Sequence, residues 1–370
     1  MKLLLRTVYL ATLLSATTLT AALPTSNDNN NYNYGSHPHL SWTLQATNTT
    51  QQFRGLAPVS EKVVWVSGTN ASVLRTLDGG KTWKNVSPTF ATGENSSDYE
   101  FRDIHAFSAR EAVVLSIGQG NASRIYRTND AGKSWKRTFL NSDEKAFYDC
   151  LAFEGSEGTE GHGIALSDPV EGKFRLLETW NKGKSWTLID PKGMPSALAG
   201  EFAFAASGTC IEAKAGRWYI ASGGVDPGRI FSSKDGGRHW SVTNSSIAGG
   251  AAAGVFSVRF RNGKDGVAVG GDYEVPTGRG ANAAWTVDGG RTWVGSARGV
   301  SGYRSGVSWF KGRREVAVAV GTSGSDVTVD GGKVWSGLGN ESFDAVECVA
   351  GGCWASGAKG RVGWLDLGRL

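Results

Sequence analysis

The chain has 370 residues, of which 39 are Lys or Arg and 34 are Asp or Glu, and its formal net charge is +5. Charges this close to balance, with no basic stripe, argue against a nucleic acid as partner. The sequence contains no Gly-x-Gly-x-x-Gly, Gly-x-Ser-x-Gly or His-Glu-x-x-His motif. We therefore predict neither a cofactor nor a metal site.

The first 22 residues have the composition of a secretory signal peptide. Lys2 and Arg6 precede an apolar stretch that runs to about Leu19, and small residues follow up to Ala22. Such a stretch is too short to remain as a membrane span, which needs about 18 or more apolar residues. We expect a secreted, extracellular protein with no transmembrane segment.

Residues 23–39 are polar and of low complexity, which predicts a disordered tail rather than structure. His37 and His39 fit a solvated linker better than a metal site. Seven Asn-x-Ser/Thr sequons agree with secretion and predict a glycoprotein. They begin at Asn48, Asn70, Asn85, Asn95, Asn121, Asn244 and Asn340.

An eight-residue phrase of the form Thr/Ser-x-Asp/Asn-x-Gly-x-x-Trp then recurs six times. The copies are Thr76–Trp83, Thr128–Trp135, Thr179–Trp186, Ser233–Trp240, Thr286–Trp293 and Thr328–Trp335. In each copy the Asp or Asn can accept bonds from nearby backbone N–H groups and close a turn. The Gly two positions later tolerates a positive φ, and the Trp supplies an apolar wedge between sheets. Each phrase therefore predicts a hairpin between two strands.

Short runs rich in β-branched residues lie between these hairpins, as in residues 112–116 and 316–320. Four strands and a turn in each repeat predict the blade of a β-propeller. Trp42 starts a strand that no hairpin precedes, and residues 343–368 supply three strands that no hairpin follows. Joined, they make one blade from both termini and hide the open edges. We predict an all-β chain whose residues 40–370 form a single seven-bladed propeller; six or eight blades are the alternatives.

The hairpin phrase resembles the Asp-box, or BNR repeat, of sialidases, xyloglucan-active glycosidases and the photosystem II stability/assembly factor family. The resemblance covers roughly residues 40–370, and only the third copy departs from it, with Asn181 in place of Asp. It implies that the hairpins lie on the rim, opposite the face where related enzymes bind substrate. The box residues are therefore expected to be structural.

Four cysteines in a secreted chain predict two disulfides. Cys348 and Cys353 flank a short turn and can join the closing hairpin. Cys150 and Cys210 begin adjacent blades, and we expect them to pair by elimination.

Function in propellers gathers at a mouth of the central channel, where the innermost strands meet. We expect these strands to be the segments that open each blade, including Glu201-Phe-Ala-Phe-Ala and Gly302-Tyr-Arg-Ser. Charged residues there require partners or a ligand. The predicted site comprises Arg54, Arg102, Asp103, Asp149, Asp168, Glu201, Arg259, Asp272, Tyr273, Tyr303, Arg304 and Asp326.

Two functions fit these residue types. The first is a monomeric binding or scaffolding propeller, similar in size and box spacing to the photosystem II assembly factors, that holds a protein or a glycan through an anionic or hydroxyl-rich group. The second is a glycoside hydrolase, because sialidases use an arginine cluster, a Tyr–Glu pair and an acidic residue. Sialidases have six blades and an Arg-Ile-Pro-like motif that is missing here, and xyloglucan-active enzymes use two propellers. We therefore favour binding.

Overall fold

The computed structural model describes residues 40–155 and 161–368, so the predicted signal peptide and polar tail lie outside the described residues. The described chain forms seven four-stranded antiparallel sheets. It also has three 3-10 helices, at Ser96–Asp98, Gly120–Ala122 and Pro191–Gly193. Among the described residues, none of the helices is long and apolar enough to span a bilayer.

The strands follow one another blade by blade. The first strand is β1 (Trp42–Gln45), and blade 1 follows with β2 (Phe53–Pro58), β3 (Val64–Gly68), β4 (Val73–Thr76) and β5 (Lys84–Asn85). Blade 2 contains β6 (Glu100–Ala106), β7 (Ala112–Ile117), β8 (Arg124–Thr128) and β9 (Lys136–Leu140). Blade 3 contains β10 (Tyr148–Phe153), β11 (Gly163–Val170), β12 (Lys173–Thr179) and β13 (Thr187–Leu188).

The second half repeats this arrangement. Blade 4 contains β14 (Ile211–Lys214), β15 (Arg217–Ala221), β16 (Arg229–Ser233) and β17 (Trp240–Asn244). Blade 5 contains β18 (Ala253–Phe260), β19 (Gly266–Asp272), β20 (Ala283–Thr286) and β21 (Val294–Gly295). Blade 6 contains β22 (Gly306–Trp309), β23 (Ala317–Gly321), β24 (Gly324–Thr328) and β25 (Ser336–Gly339), and the last three strands are β26 (Ala345–Cys348), β27 (Gly352–Ser356) and β28 (Val362–Asp366).

Blade 7 is assembled from both ends of the described chain. Its strand order is β26, β27, β28 and then β1, with Trp42 opposite Leu365 and Gln45 opposite Val362. The innermost strands contact one another in sequence, and β26 contacts β2 to close the ring. The prediction of seven blades with a last blade closed by both termini is confirmed.

The Asp-box turn forms the bonds that its sequence predicts. In the first copy, Asp78 Oδ1 accepts from the Thr82 backbone N–H at 2.9 Å, and Asp78 Oδ2 accepts from the Thr82 hydroxyl at 2.6 Å. These bonds lower the pKa of Asp78 to about 2. Gly80 has a φ of 83° and donates its N–H to Thr76 Oγ1. The box carboxylate is thus fully engaged within its own turn, as expected for a structural residue.

The box tryptophans pack between neighbouring blades. Trp83 of blade 1 meets Trp354 of blade 7 edge to face at 6.3 Å, and Trp135 of blade 2 meets Trp65 of blade 1 in the same way at 6.4 Å. Aromatic pairs in this geometry add to the free energy gained from apolar burial. The hydrophobic core is accordingly distributed between the sheets rather than gathered in one centre.

One predicted innermost strand is wrong. Residues 202–205 alternate Phe with Ala, yet the innermost strand of blade 4 is β14, and Phe202 forms only isolated bridge pairing with Gly223. Tyr303 and Arg304 likewise precede β22 instead of lying in it. Residues 202–209 instead form what we call the plug segment.

The plug segment lies across the central channel. Although it belongs to blade 4, its Ala205 carbonyl accepts from Arg102 of blade 2 at 3.2 Å. Its Ser207 hydroxyl donates to the Ser305 carbonyl beside blade 6 at 2.6 Å. Contacts with blades on both sides, beyond its immediate neighbours, require a position inside the channel. The plug segment therefore divides the channel into two halves.

Both disulfides are present with the predicted pairing. Cys150 in β10 is bonded to Cys210, which directly follows the plug segment, and Cys348 is bonded to Cys353 across the β26–β27 turn. The first bridge joins the end of the plug segment to the inner wall of blade 3. The second reinforces the hairpin of the closing blade.

We expect the two bridges to differ in their effect on stability. The Cys150–Cys210 bridge closes a loop with a sequence separation of 60, whereas Cys348–Cys353 spans only 5. Because cross-link stabilisation grows with loop length, Cys150→Ala/Cys210→Ala should cost about 2–4 kcal/mol, and Cys348→Ala/Cys353→Ala should cost less. Urea unfolding of the two double variants measures this order. A larger loss for the short bridge would contradict it.

Candidate functional site

The two halves of the channel differ in which loops surround them. The lower half is on the side of the Asp-box hairpins, since the Gly79 N–H of the first box donates to Lys62 in the β2–β3 turn at 3.1 Å. The upper half is on the side where the innermost strands begin. Most of the predicted site residues fall at this upper end, which we call the upper mouth.

Arg54 and Arg102 are the arginines of the upper mouth. Arg102 pairs with Glu100 at 2.7 Å and donates to the plug segment. Burial, followed by the positive charge of Arg54, lowers the pKa of Arg102. The Arg54 side chain forms neither a hydrogen bond nor an ion pair within the described ranges 40–155 and 161–368. Asp344, which the sequence analysis did not select, is buried nearby and accepts from Gln52 at 2.8 Å.

Asp149 and Asp168 form a pair of buried carboxyls beside this mouth. Burial first, and then the charge of Asp168, raises the pKa of Asp149, whereas Arg102 opposes the shift. Asp149 Oδ2 has no hydrogen-bond partner among the described residues. Asp168 Oδ1 accepts from the Ala203 N–H of the plug segment at 2.9 Å, and burial raises its pKa to about 6. The predicted proximity of these two aspartates is therefore present.

Three other predicted residues are occupied by structural ion pairs. Glu201 holds the guanidinium of Arg229 with both carboxyl oxygens, and Oε1 also accepts from Ser222 at 2.6 Å. Arg304 and Asp326 pair at 2.6 Å, and each side chain is only 1% exposed. Glu201, Arg304 and Asp326 are buried in these ion pairs and offer no free donor or acceptor to a ligand. We therefore assign them a structural role.

The remaining upper residues are aromatic or turn residues. Asp272 accepts from the Glu274 N–H at 2.8 Å and forms a turn. Tyr303 is buried edge-on against Phe256 at 4.7 Å, and burial raises its pKa. Tyr273 is 47% exposed beside the same aromatic cluster. Of these three, Tyr273 alone presents a large surface to solvent.

Asp103 and Arg259, the last two predicted residues, lie in the lower half. Asp103 accepts from the Leu151 N–H at 2.6 Å and from the Ile104 N–H at 2.7 Å. Arg259 pairs with Glu347, and Ser308 donates to the other oxygen of Glu347 at 3.1 Å. The predicted set is therefore divided between two separate halves.

Sequence reasoning missed Glu212 and Glu347 in this lower half. Each is an acidic residue within a short innermost strand, β14 or β26, whose neighbours in sequence are apolar. An acidic residue within an otherwise apolar stretch of strand is the sequence signal that could have identified Glu212 and Glu347. In blade 4 this signal lies outside residues 201–205, the segment that the sequence predicts as the innermost strand.

Asp103 and Glu212 predict an unusual pH dependence of stability. Burial raises the pKa of Asp103 to about 7 and that of Glu212 to about 8, with Arg259 opposing and Glu347 reinforcing both shifts. Since the folded state retains these protons more strongly than the unfolded chain, their contribution is complete below about pH 4 and is lost as the pH rises through about 7 to 8. Asp149 and Asp168 shift in the same direction.

Urea unfolding between about pH 5 and pH 9 measures this loss. The double variant Asp103→Asn/Glu212→Gln should flatten the profile; it keeps an acceptor for the Phe260 N–H and for one of the two N–H groups that Asp103 binds. A double variant with the parent's slope would contradict the assignment.

The chain is a seven-bladed propeller of the BNR type, and its channel is divided by the plug segment. It resembles the photosystem II assembly factor: the family model described as "Photosynthesis system II assembly factor YCF48" matches residues 36–145. No curated protein matches the sequence.

Solved propellers have the same fold. The structure described as "YCF48 bound to D1 peptide" is 15% identical, with a TM-score of 0.60 over 90% of this chain and 99% of that chain. YCF48 from Cyanidioschyzon merolae is 15% identical, with a TM-score of 0.62 over 88% and 99%. The WD40 β-propeller domain of Doa1 is 10% identical, with a TM-score of 0.57 over 89% and 97%. At these identities the likeness concerns the fold alone.

Proposed function

We propose that the protein is a secreted binding or scaffolding propeller whose upper mouth holds an anionic segment of a partner protein. The likeness to YCF48 suggests a binding or scaffolding role, and one YCF48 structure is described as bound to a D1 peptide. The observation that carries the proposal is the Arg54 guanidinium, which has no carboxylate partner within 4.0 Å in the described chain.

The charges of the upper mouth support an anionic ligand. Of the predicted arginines, Arg259 lies in the lower half and pairs with Glu347, and Arg304 is buried against Asp326. Arg102 shares its charge only with Glu100, whose side chain is 41% exposed and free to move aside. Two guanidiniums therefore remain for a carboxylate ligand, and guanidinium binds carboxylate through paired N–H bonds.

The aromatic residues beside these arginines favour a protein as the source of that anion. Tyr273 lies 6.2 Å from Phe256 and 6.5 Å from Phe204, measured between ring centroids, and stands exposed above them. Exposed Tyr and Arg are among the residue types that contribute most to protein interfaces. A mouth of this kind suits an acidic peptide with an apolar neighbour.

The glycoside hydrolase alternative receives less support from the geometry. A general acid or base must be free to exchange a proton with the substrate. Glu201 is fixed by Arg229, and both oxygens of Asp103 accept backbone N–H groups. Turnover of sialosides or β-glucan oligosaccharides that disappears in Asp103→Asn or Glu201→Gln would overturn the binding proposal.

Peptide binding by arginine variants tests the proposal. We expect a peptide with several Glu residues and one aromatic residue to bind the parent, and Arg54→Ala and Arg102→Ala to weaken it by about tenfold each. The melting temperature of Arg54→Ala should be retained, because that side chain has no partner in the described chain to lose. Arg110→Ala, an exposed arginine on the lower side, is the matched control and should bind like the parent.

Two results would count against the proposal. Equal binding by the parent and both variants would remove the arginines from the site. Binding of a sialylated oligosaccharide in place of the peptide, with the same loss in Arg54→Ala, would keep the anion site but replace the partner by a glycan.

A further inference from the structure

The lower half of the channel contains a cavity that the upper mouth does not use. Its volume is about 780 Å³, and its walls come from innermost strands of blades 1 to 7. Ser207, Gly208 and Thr209 of the plug segment form part of its lining. Small-molecule sites have volumes of about 300–1,000 Å³. The cavity therefore has the size of a site for a small ligand.

The plug segment closes this cavity on its upper side. Thr209 donates to the Ser257 hydroxyl at 2.7 Å, and Gly208 packs against Asp103 so closely that an added Cβ would lie 2.3 Å from Asp103 Oδ1. Gly208 also has a φ of 70°, which favours glycine. A ligand in the lower cavity thus cannot pass to the upper mouth, and the two sites are independent.

The centre of the cavity is polar. Asp103, Glu212, Arg259 and Glu347 all line it, and Ser308 adds a hydroxyl. Burial raises the pKa of Glu212 to about 8. A protonated carboxyl both donates and accepts hydrogen bonds, as sugar hydroxyls do. The centre of the cavity therefore suits a ligand with hydroxyl groups better than an apolar ligand.

The opening of the cavity is basic. The β22–β23 turn contributes Lys311, Arg313 and Arg314, and the end of β14 contributes Lys214. All four residues are exposed. Their side chains make no hydrogen bond or ion pair with other residues in the described ranges. Unpaired positive charges around an opening attract an anionic group and raise its local concentration.

We propose that the lower cavity binds a small sugar that carries a phosphate or sulfate group. The anionic group lies at the basic opening, and the hydroxyl groups reach the carboxyls at the centre. Phosphate and sulfate have the same recognition chemistry here, and the choice of probes separates them.

Isothermal titration calorimetry with four probes tests this site: glucose 6-phosphate, a sulfated disaccharide, glucose and inorganic phosphate. We expect at least one anionic sugar to bind with a Kd of about 1 mM or tighter and about tenfold more tightly than glucose or inorganic phosphate. The better of the two anionic sugars identifies the anionic group. Failure of both to bind, or inorganic phosphate binding as tightly as either, would overturn the proposal.

Charge-removal variants locate the binding. Lys311→Ala/Arg313→Ala/Arg314→Ala should weaken the anionic sugar by about tenfold, because three positive charges near the anion are lost. These residues are exposed, and their side chains form no hydrogen bond or ion pair with the described part of the chain, so folding should be unaffected. An unchanged affinity would place the ligand elsewhere and overturn the assignment.

Two controls separate this site from others. Lys81→Ala/Lys84→Ala/Lys133→Ala removes the same charge from exposed positions outside the cavity and should leave sugar binding unchanged. Arg54→Ala should also bind the sugar like the parent, whatever it does to peptide binding. A loss in either control would show that binding is not confined to the lower cavity.

Discussion

Replacing Arg304 by alanine is expected to lower the free energy of unfolding by about 3–5 kcal/mol. Arg304 and Asp326 are each 1% exposed, and Arg304 also donates to the Tyr303 carbonyl at 2.8 Å and to Ser323 at 3.0 Å. The variant leaves the Asp326 carboxylate buried with only Ser301 donating to it. Such an uncompensated charge is far more costly than the loss of an exposed ion pair.

Urea unfolding of Arg304→Ala beside Arg54→Ala measures this difference. Arg54→Ala should remain within about 0.5 kcal/mol of the parent, because a partly exposed side chain without partners contributes little to folding. The two variants thus separate a structural arginine from a binding one. If Arg304→Ala were as stable as the parent but no longer bound the peptide, Arg304 would be a ligand-binding residue and not a structural one.

Deleting residues 353–370 is expected to give aggregation rather than local fraying. The deletion removes β28 and nearly all of β27, and it leaves β1 and β26 without their partners in blade 7. Unpaired strands present rows of N–H and C=O groups that pair with other chains. Size-exclusion chromatography with light scattering should show oligomers or no soluble protein.

A matched deletion provides the control for this result. Removing residues 367–370 leaves all four strands of blade 7 in place and should give a monomer. A soluble, cooperatively unfolding monomer from the 353–370 deletion would contradict the importance of ring closure.

Local chemistry made the fold predictable. Thr76, Asp78 and Gly80 form a turn whose bonds run within eight residues, so the sequence alone specifies them. The orphan strand at Trp42 could be assigned to blade 7 because a propeller has to close. The turn is specified by residues close in sequence, and the place of Trp42 follows from the number of strands needed to complete seven blades.

The remainder depends on contacts between distant residues. The plug segment begins with alternating Phe and Ala, as a strand can, but Asp168, Arg102 and Ser305 hold it in the channel through bonds that no local pattern reveals. The ion pairs also depend on distant residues. The sequence predicts Arg304 at a ligand site, and only the folded chain shows it buried against Asp326. Residue types were predictable, but their partners were not.

The composite blade also sets a time order for folding. The partner of Trp42 is Leu365, so the first strand waits for almost the whole chain before it can pair. At about 5–20 residues per second of synthesis, that delay is on the order of 15–65 s. During this interval β2 has no β26 beside it, so the ring stays open and its strand edges can pair with other chains. The last strands synthesised therefore close the ring, and the chain is most exposed to aggregation until they have been made.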